Sequence, residues 1–248
     1  VYKRQMEDRY FQTNIIDFSE TKHDESTYSI FGGSIVLEGS TLNARQFATQ
    51  GSREKMAAQI FTGTEHFRSG VSKVTKGTPE PYKKVQSWLQ VSYQNETYHK
   101  VSPKFTLGAY LEAYYSSRNF SNNYTATLMQ AGEFTPTAHS KVTYNEAFRA
   151  NQYAGVGTMP IYQLSESFQL RGEFYGFIPI FPIKKDEYGQ AYYGKAFTKF
   201  EYLGEISLVF QLSFGSISAY VNHYSSPSND WNVGLTLGWQ LFNSRFVE

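Results

Sequence analysis

The residues of this sequence whose types and spacing bear on chemistry are charged ones set two and four positions apart: Arg171 with Glu173, and Lys199 with Glu201 and Glu205. In an extended chain, positions of equal parity point to one side. Glu201 and Glu205 would then share a face, as the acid and base of a glycoside hydrolase must face one bond. With Lys199 and Arg171 on the matching faces of their segments, the two carboxylates read instead as members of an ion network. The five histidines, His23, His66, His99, His139 and His223, fall singly in expected loops and strand ends without metal-ligand spacing, and are read as surface or rim residues. Cysteine is absent, which removes disulfides, thiolate metal sites and thiol nucleophiles together. The residues therefore point to no catalytic set, no metal and no cofactor.

The elements that must position these charges are strands. From Asn232 to Phe242, "NVGLTLGWQLF" alternates Val233, Leu235, Leu237, Trp239 and Leu241 with small or polar residues, the period of a strand with unlike faces. The same period runs from Thr198 to Leu212 and from Phe168 to Ile178, and there the polar face carries Lys199, Glu201, Glu205, Arg171 and Glu173 in mid-strand. Six further segments complete nine expected strands: 28–39, 53–66, 84–98, 104–117, 153–163 and 216–224.

Such alternation fits a soluble sandwich, with its apolar face in a protein core, or a membrane barrel, with that face toward lipid. Inward charge on strands whose other face is aromatic and aliphatic favours the barrel. Composition agrees: 20 Tyr, 20 Phe and 3 Trp make up 17% of 248 residues, and the rings recur at strand ends, where barrels place aromatic girdles. No apolar run approaches the roughly 18 residues of a membrane helix. The connections are short at "HKVSP", "SES" and "SFG" but long at "FRSGVSKVTKGTPEPYKK", at 118–152 and at "PIFPIKKDEYGQAYYGKA". Outer-membrane barrels show this contrast between tight periplasmic turns and extended external loops. Two connections break the rule: "STLNARQFATQGS" is long for a turn and "SSPSND" short for an external loop. The net charge of +1 points to no nucleic acid, and the lysines Lys73, Lys76, Lys83 and Lys84 read as a solvated loop, with anionic lipopolysaccharide as the other reading.

Three stretches carry a resemblance: "NNYTATLMQAGEFTPTAHSKVTYNEAFRANQYAGVGTMPIY" (122–162), "FQLRGEFYGFIPI" (168–180) and the closing "WNVGLTLGWQLFNSRFVE". Over residues 28–248 the chain resembles the membrane portion of the patatin-like phospholipases of Bacteroidota, in which a patatin domain and a small periplasmic domain precede a surface-antigen barrel. The resemblance implies an all-β, antiparallel transmembrane β-barrel of sixteen strands, of which about nine are present here. It implies a lumen loop with a hydrophobic-Arg-Gly-aromatic tip, followed by five strands. Phe148 and Arg149 of "FRANQY" match the first two tip positions, Ala150 stands where Gly is expected, and Asn151 and Gln152 delay the aromatic to Tyr153. Arg149 is then expected in the lumen, paired with Glu173, with Glu201 and Glu205 in reserve. Asn232, Gly234, Leu237 and Trp239 resemble the assembly signal of outer-membrane barrels, although the chain runs on through "NSRFVE".

The catalytic Ser-Asp dyad of patatins sits in Gly-x-Ser-x-Gly and Asp-Gly motifs. The segments around Ser34 and Ser216 lack the second Gly, and no Asp precedes a Gly. The expected function is therefore a membrane anchor or conduit in the outer membrane, with the lipid acyl hydrolase upstream. The alternative is a surface-antigen barrel that assembles or secretes other proteins and has no enzymatic domain. Residues 1–5, "VYKRQ", resemble a translated sequencing adapter and 6–27 a linker or the end of a preceding strand, so the front of the protein is expected to be missing. The implied partners are outer-membrane lipids, the barrel assembly machinery, the upstream domains and a second copy of the chain.

Overall fold

The computed structural model describes residues 2–10, 23–70, 82–226 and 231–239. In chain order its elements are β1 (Tyr2–Tyr10), β2 (Asp24–Ser40), β3 (Gly51–Arg68), β4 (Tyr82–Ser102), β5 (Phe105–Ser116), α1 (Tyr124–Gln130), β6 (Gly132–Glu133), β7 (Arg149–Ala150) and β8 (Gln152–Gln163). There follow β9 (Phe168–Pro179), β10 (Ile183–Lys185), β11 (Ala191–Tyr193), β12 (Glu201–Leu212), β13 (Gly215–Tyr224) and β14 (Trp231–Trp239). One antiparallel sheet of ten strands, in the order β1-β2-β3-β4-β5-β8-β9-β12-β13-β14, makes the fold all-β. The pairs β6–β7 and β10–β11 are small hairpin-like additions inside the two longest connections.

All nine expected strands are present, most within a few residues of their expected bounds, and the tenth is Tyr2–Tyr10. That strand pairs with β2 in continuous register from Tyr2 opposite Gly32 to Tyr10 opposite Asp24. Five strands, rather than the expected four, precede the long connection, and five follow it. Among the described residues β1 and β14 each pair on one side only. The outward side chains of β1, Lys3, Gln5, Glu7 and Arg9, are charged or polar, as edge strands commonly are.

The sheet curls. Strands lie about 4.8 Å apart, so the seven spacings from β2 to β13 would span about 34 Å if flat. Yet Gln46, six residues beyond β2 and within about 20 Å of extended chain, accepts a hydrogen bond from Ser216 on β13 at 2.8 Å. Only a strongly curved sheet brings the two together.

Curvature gives the sheet unlike faces: the concave one buries charged and polar side chains beside an aromatic cluster, and the convex one exposes aliphatic and aromatic side chains. On β12 the concave side holds buried Glu201, Leu203, Glu205, Ser207 and Val209, while Tyr202, Ile206 and Leu208 are exposed on the convex side. On β9 Gln169, Arg171, Glu173, Tyr175 and Phe177 point inward and Phe168, Leu170 and Phe174 outward. The contrast is sharpest on β14, where Val233 and Leu235 are 82% and 81% exposed. Ile35, Leu37, Ile60, Leu89, Val91, Leu107, Leu111, Val156 and Ile217 continue the convex band across the other strands. Among the described residues no helix is long and apolar enough to cross a membrane.

Candidate functional site

The concave face is filled from both ends, and the packing at this filling buries charged side chains together. The first filler is the connection between β5 and β8. Asn123 caps α1 by accepting from the Ala126 amide at 2.9 Å, and its side-chain amide donates to Tyr10 on β1 at 2.8 Å. Gln130 at the other end of α1 donates to Asp8 at 2.8 Å and accepts from Arg118 at 2.8 Å. Arg118 itself lies over the rings of Trp88 and Tyr28, 4.6 and 5.3 Å from their centroids. Burial lowers the pKa of Arg118 from its ordinary value, but a guanidinium starts so high that it stays a cation. Burial likewise pushes the Tyr124 hydroxyl up to about 12.

Beyond α1 the connection drops an aromatic ring into the middle of the sheet. Phe134 lies 5.6 to 6.3 Å from Tyr110, Tyr153, Tyr175 and Phe177, centroid to centroid. It fits because β8 offers Gly155: a Cβ there would stand 2.1 Å from the Phe134 ring. Phe148 adds a second ring, 5.7 Å from both Phe177 and Tyr224. The second filler is the connection between β2 and β3, the segment too long for a tight turn. The Phe47 carbonyl accepts from Gln169 and Gln211 at 3.3 and 3.2 Å, and the Ala48 carbonyl from Arg171 at 2.8 Å.

Between the two fillers runs a row of polar side chains in direct cross-strand register: Glu173 on β9, Glu205 on β12, Asn222 on β13 and Asn232 on β14. Arg171 Nε bonds Glu173, and the same guanidinium donates to Tyr98 Oη at 2.6 Å. His139 Nδ1 stands 2.6 Å from Glu205 Oε1, with its ring stacked on Tyr220 at 3.5 Å between centroids. Asn222 donates to Glu205 at 3.4 Å and Asn232 to Asn222 at 3.2 Å. Nearer the rim, Glu201 is bonded by Ser225 and lies 3.3 Å from Lys199, which also reaches the Ala147 carbonyl. Glu112 accepts from Tyr153 at 2.7 Å and from Tyr110.

Each charged residue expected on the polar face thus lies inside the curl, in pairs the sequence did not specify. Arg171 pairs with Glu173, Lys199 with Glu201, and Glu205 with a histidine. Two expectations are corrected. Arg149 is partly buried, its side chain 11% exposed, but its partner is Glu133 at 2.8 Å, supplied by its own connection through the β6–β7 pairing, with the Tyr144 ring 4.6 Å from its guanidinium carbon. Glu173 is already taken by Arg171 on its own strand. His139, read as a surface or rim residue, is 3% exposed. No periodicity could have found it, since it lies in an irregular segment and its partner is 66 residues away.

The remaining predicted residues fall as follows. Asn232 and Gly234 face inward on β14; a Cβ on Gly234 would meet the Tyr220 hydroxyl at 2.5 Å. Leu237 is outward and 66% exposed, and Trp239 ends the strand. Leu241 and the closing "NSRFVE" lie outside the described residues, as do Lys73 and Lys76. Lys83 lies in β4, and Lys84 donates to the Phe120 carbonyl at 2.8 Å. Among the described residues no cluster of three or more His, Asp or Glu has the arrangement of a metal site. No protein-family model, no curated protein and no solved structure matches the chain.

Proposed function

We propose that this chain is the membrane-embedded part of an outer-membrane barrel protein, with the convex face of the sheet against lipid. The reading rests on one observation, the polarity of the two faces. Ionic and amide groups are buried on the concave side, where Arg171 pairs with Glu173 and His139 with Glu205, while Val233, Leu235, Leu237, Ile206 and Leu208 are exposed on the other. An apolar band of this extent on a protein in water would be an aggregation surface; in lipid it is the expected exterior.

The interior favours an anchor over an open conduit. Phe134 and Phe148 are fixed in an aromatic cluster, and two connections occupy the concave face, so passage would require both to leave. In the patatin-like phospholipases that the sequence resembles, a barrel of this kind carries a lipid acyl hydrolase domain upstream, and we extend that role to this chain. The alternative of an assembly or secretion barrel uses the same fold. It is separated by the coding sequence upstream, where the hydrolase reading requires Gly-x-Ser-x-Gly followed by Asp-Gly.

Quenching by brominated acyl chains tests the membrane reading. In single-tryptophan proteins reconstituted in vesicles, Trp231, 70% exposed on the convex face, should be quenched, and Trp88, 5% exposed on the concave face, spared. Equal quenching, or a protein that stays in the aqueous phase, would overturn it.

A further inference from the structure

We propose that a groove on the convex face, across β9, β12 and β13, seats one acyl chain of a membrane phospholipid with its headgroup toward His223. The proposal rests on the membrane reading above and adds a defined lipid site to it.

The groove is made by a diagonal of glycines. Gly176 stands opposite Tyr202 and Gly204 opposite Phe174, so on two adjacent strands large rings and bare backbone alternate in a checkerboard. The depression this leaves has a volume of about 580 Å³, within the range of pockets that hold small organic ligands. Phe200 forms one wall, lying so close to Gly176 that a Cβ there would stand 2.9 Å from its ring. Ile206 forms the end toward mid-strand. On the other side His223, directly opposite Gly204, stacks with Tyr202 at 5.8 Å and touches Trp231 at 4.8 Å between centroids.

The chemistry is that of an amphiphile held in one orientation. His223, Tyr202 and Trp231 all lie at the ends of their strands, beside the connections 180–200 and 225–230, whereas Ile206 leads into the apolar band of Leu208. Rings with polar atoms at one end and aliphatic walls at the other match a headgroup at the interface and a chain running inward. The groove opens on the same band that meets lipid in the membrane reading, so membrane lipid is the species presented to it.

Native mass spectrometry of the full-length protein, delipidated in detergent and titrated with phosphatidylethanolamine, tests the site. One lipid should be retained per chain. Gly204→Leu should reduce that retention about tenfold, because a Cβ at Gly204 has only ordinary contact, 3.5 Å, with the Phe174 ring and starts a side chain that projects into the groove. Phe200→Ala, which removes an exposed wall, should weaken retention as well, and Ile217→Ala, outside the groove, should not. Unchanged retention in both groove variants overturns the site. A chain dimer that Gly204→Leu dissociates would also overturn it, by making a second copy the occupant. Bilayer insertion is measured in parallel: wild-type protein that fails to insert sinks the membrane reading, while insertion with unaltered retention sinks the groove alone.

Discussion

Glu173 and Glu205 stand directly opposite each other on β9 and β12, both buried on the concave face. Like charges in cross-strand register are destabilising, and each carboxylate meets its own partner, Glu173 the Arg171 guanidinium and Glu205 the His139 Nδ1. The pairing divides the labour between wall and filler. Arg171 belongs to the sheet, and its remaining donors reach Ala48 and Tyr98; His139 belongs to the connection between β5 and β8 and fastens it to β12.

Removing Arg171 should therefore be costly. Arg171→Met leaves Glu173 buried and facing Glu205 without a counter-charge, and should cost about 3 to 5 kcal/mol. The double replacement Arg171→Met with Glu173→Leu should cost less than the sum of the two single ones, since it removes both charges. Urea unfolding of the reconstituted protein provides the cycle, and additive single effects would show that the pair is not coupled.

The medium around the sheet can be read from one pair of neighbours on β14. Leu237 points outward and is 66% exposed, while Thr236 points inward. In water, Arg at an exposed Leu237 should change stability by about 0.5 kcal/mol or less; at a bilayer midplane it should cost about 2 to 4 kcal/mol. Arg at Thr236 should cost much less than the bilayer figure. Unfolding in lipid vesicles distinguishes the cases, because Leu237, two-thirds exposed, gives up little protein contact in either.

Gly234 should prove intolerant of a side chain for a reason that reaches three residues deep. A Cβ there meets the Tyr220 hydroxyl at 2.5 Å, and Tyr220 is the ring on which His139 stacks while it holds Glu205. Gly234→Val should cost about 1 to 3 kcal/mol by overpacking and should expose the 135–146 segment to protease. Gly33→Ala, where the added Cβ meets nothing within 4 Å, is the matched control and should change neither.

What the sequence made legible follows from period. Strands with unlike faces declare themselves, so nine segments and the inward sense of Arg171, Glu173, Lys199, Glu201 and Glu205 could be read directly. β1 could not, because "YKRQMEDRY" carries charge on both faces and only its register with β2 marks it as a strand. Partners inside the curl were illegible for a different reason. His139 and Glu133 lie in a connection whose path is fixed by Phe134 finding the space at Gly155, a match between positions 21 residues apart that no local pattern encodes. The long connection between β2 and β3 departs from the turn rule because its carbonyls accept hydrogen bonds from Gln169, Arg171 and Gln211 inside the curl, partners that no local pattern marks.

The pairing of Arg149 gives the last test, because it distinguishes a filler that braces itself from one that is pinned to the wall. Arg149 and Glu133 face each other across the two-residue pairing of β6 with β7, 2.8 Å apart. The same guanidinium donates to the carbonyls of Leu128 and Met129 at the end of α1, 3.3 Å each. Arg149 thus ties α1, β6 and β7 into one unit before any strand of the large sheet is involved. Arg149→Met with Glu133→Gln should show coupling of about 1 kcal/mol or more in a double-mutant cycle, as residues in one ion-pair network do. The cycle of Arg149 with Glu173 should be additive within about 0.5 kcal/mol, since those two share no partner. The Arg149→Met protein should keep its ten-stranded sheet, while amide exchange in 124–133 rises, because the carbonyls at the end of α1 lose their donor. Coupling of Arg149 to Glu173, or exchange that rises across β8 and β9 instead, would mean that Arg149 acts on the wall directly.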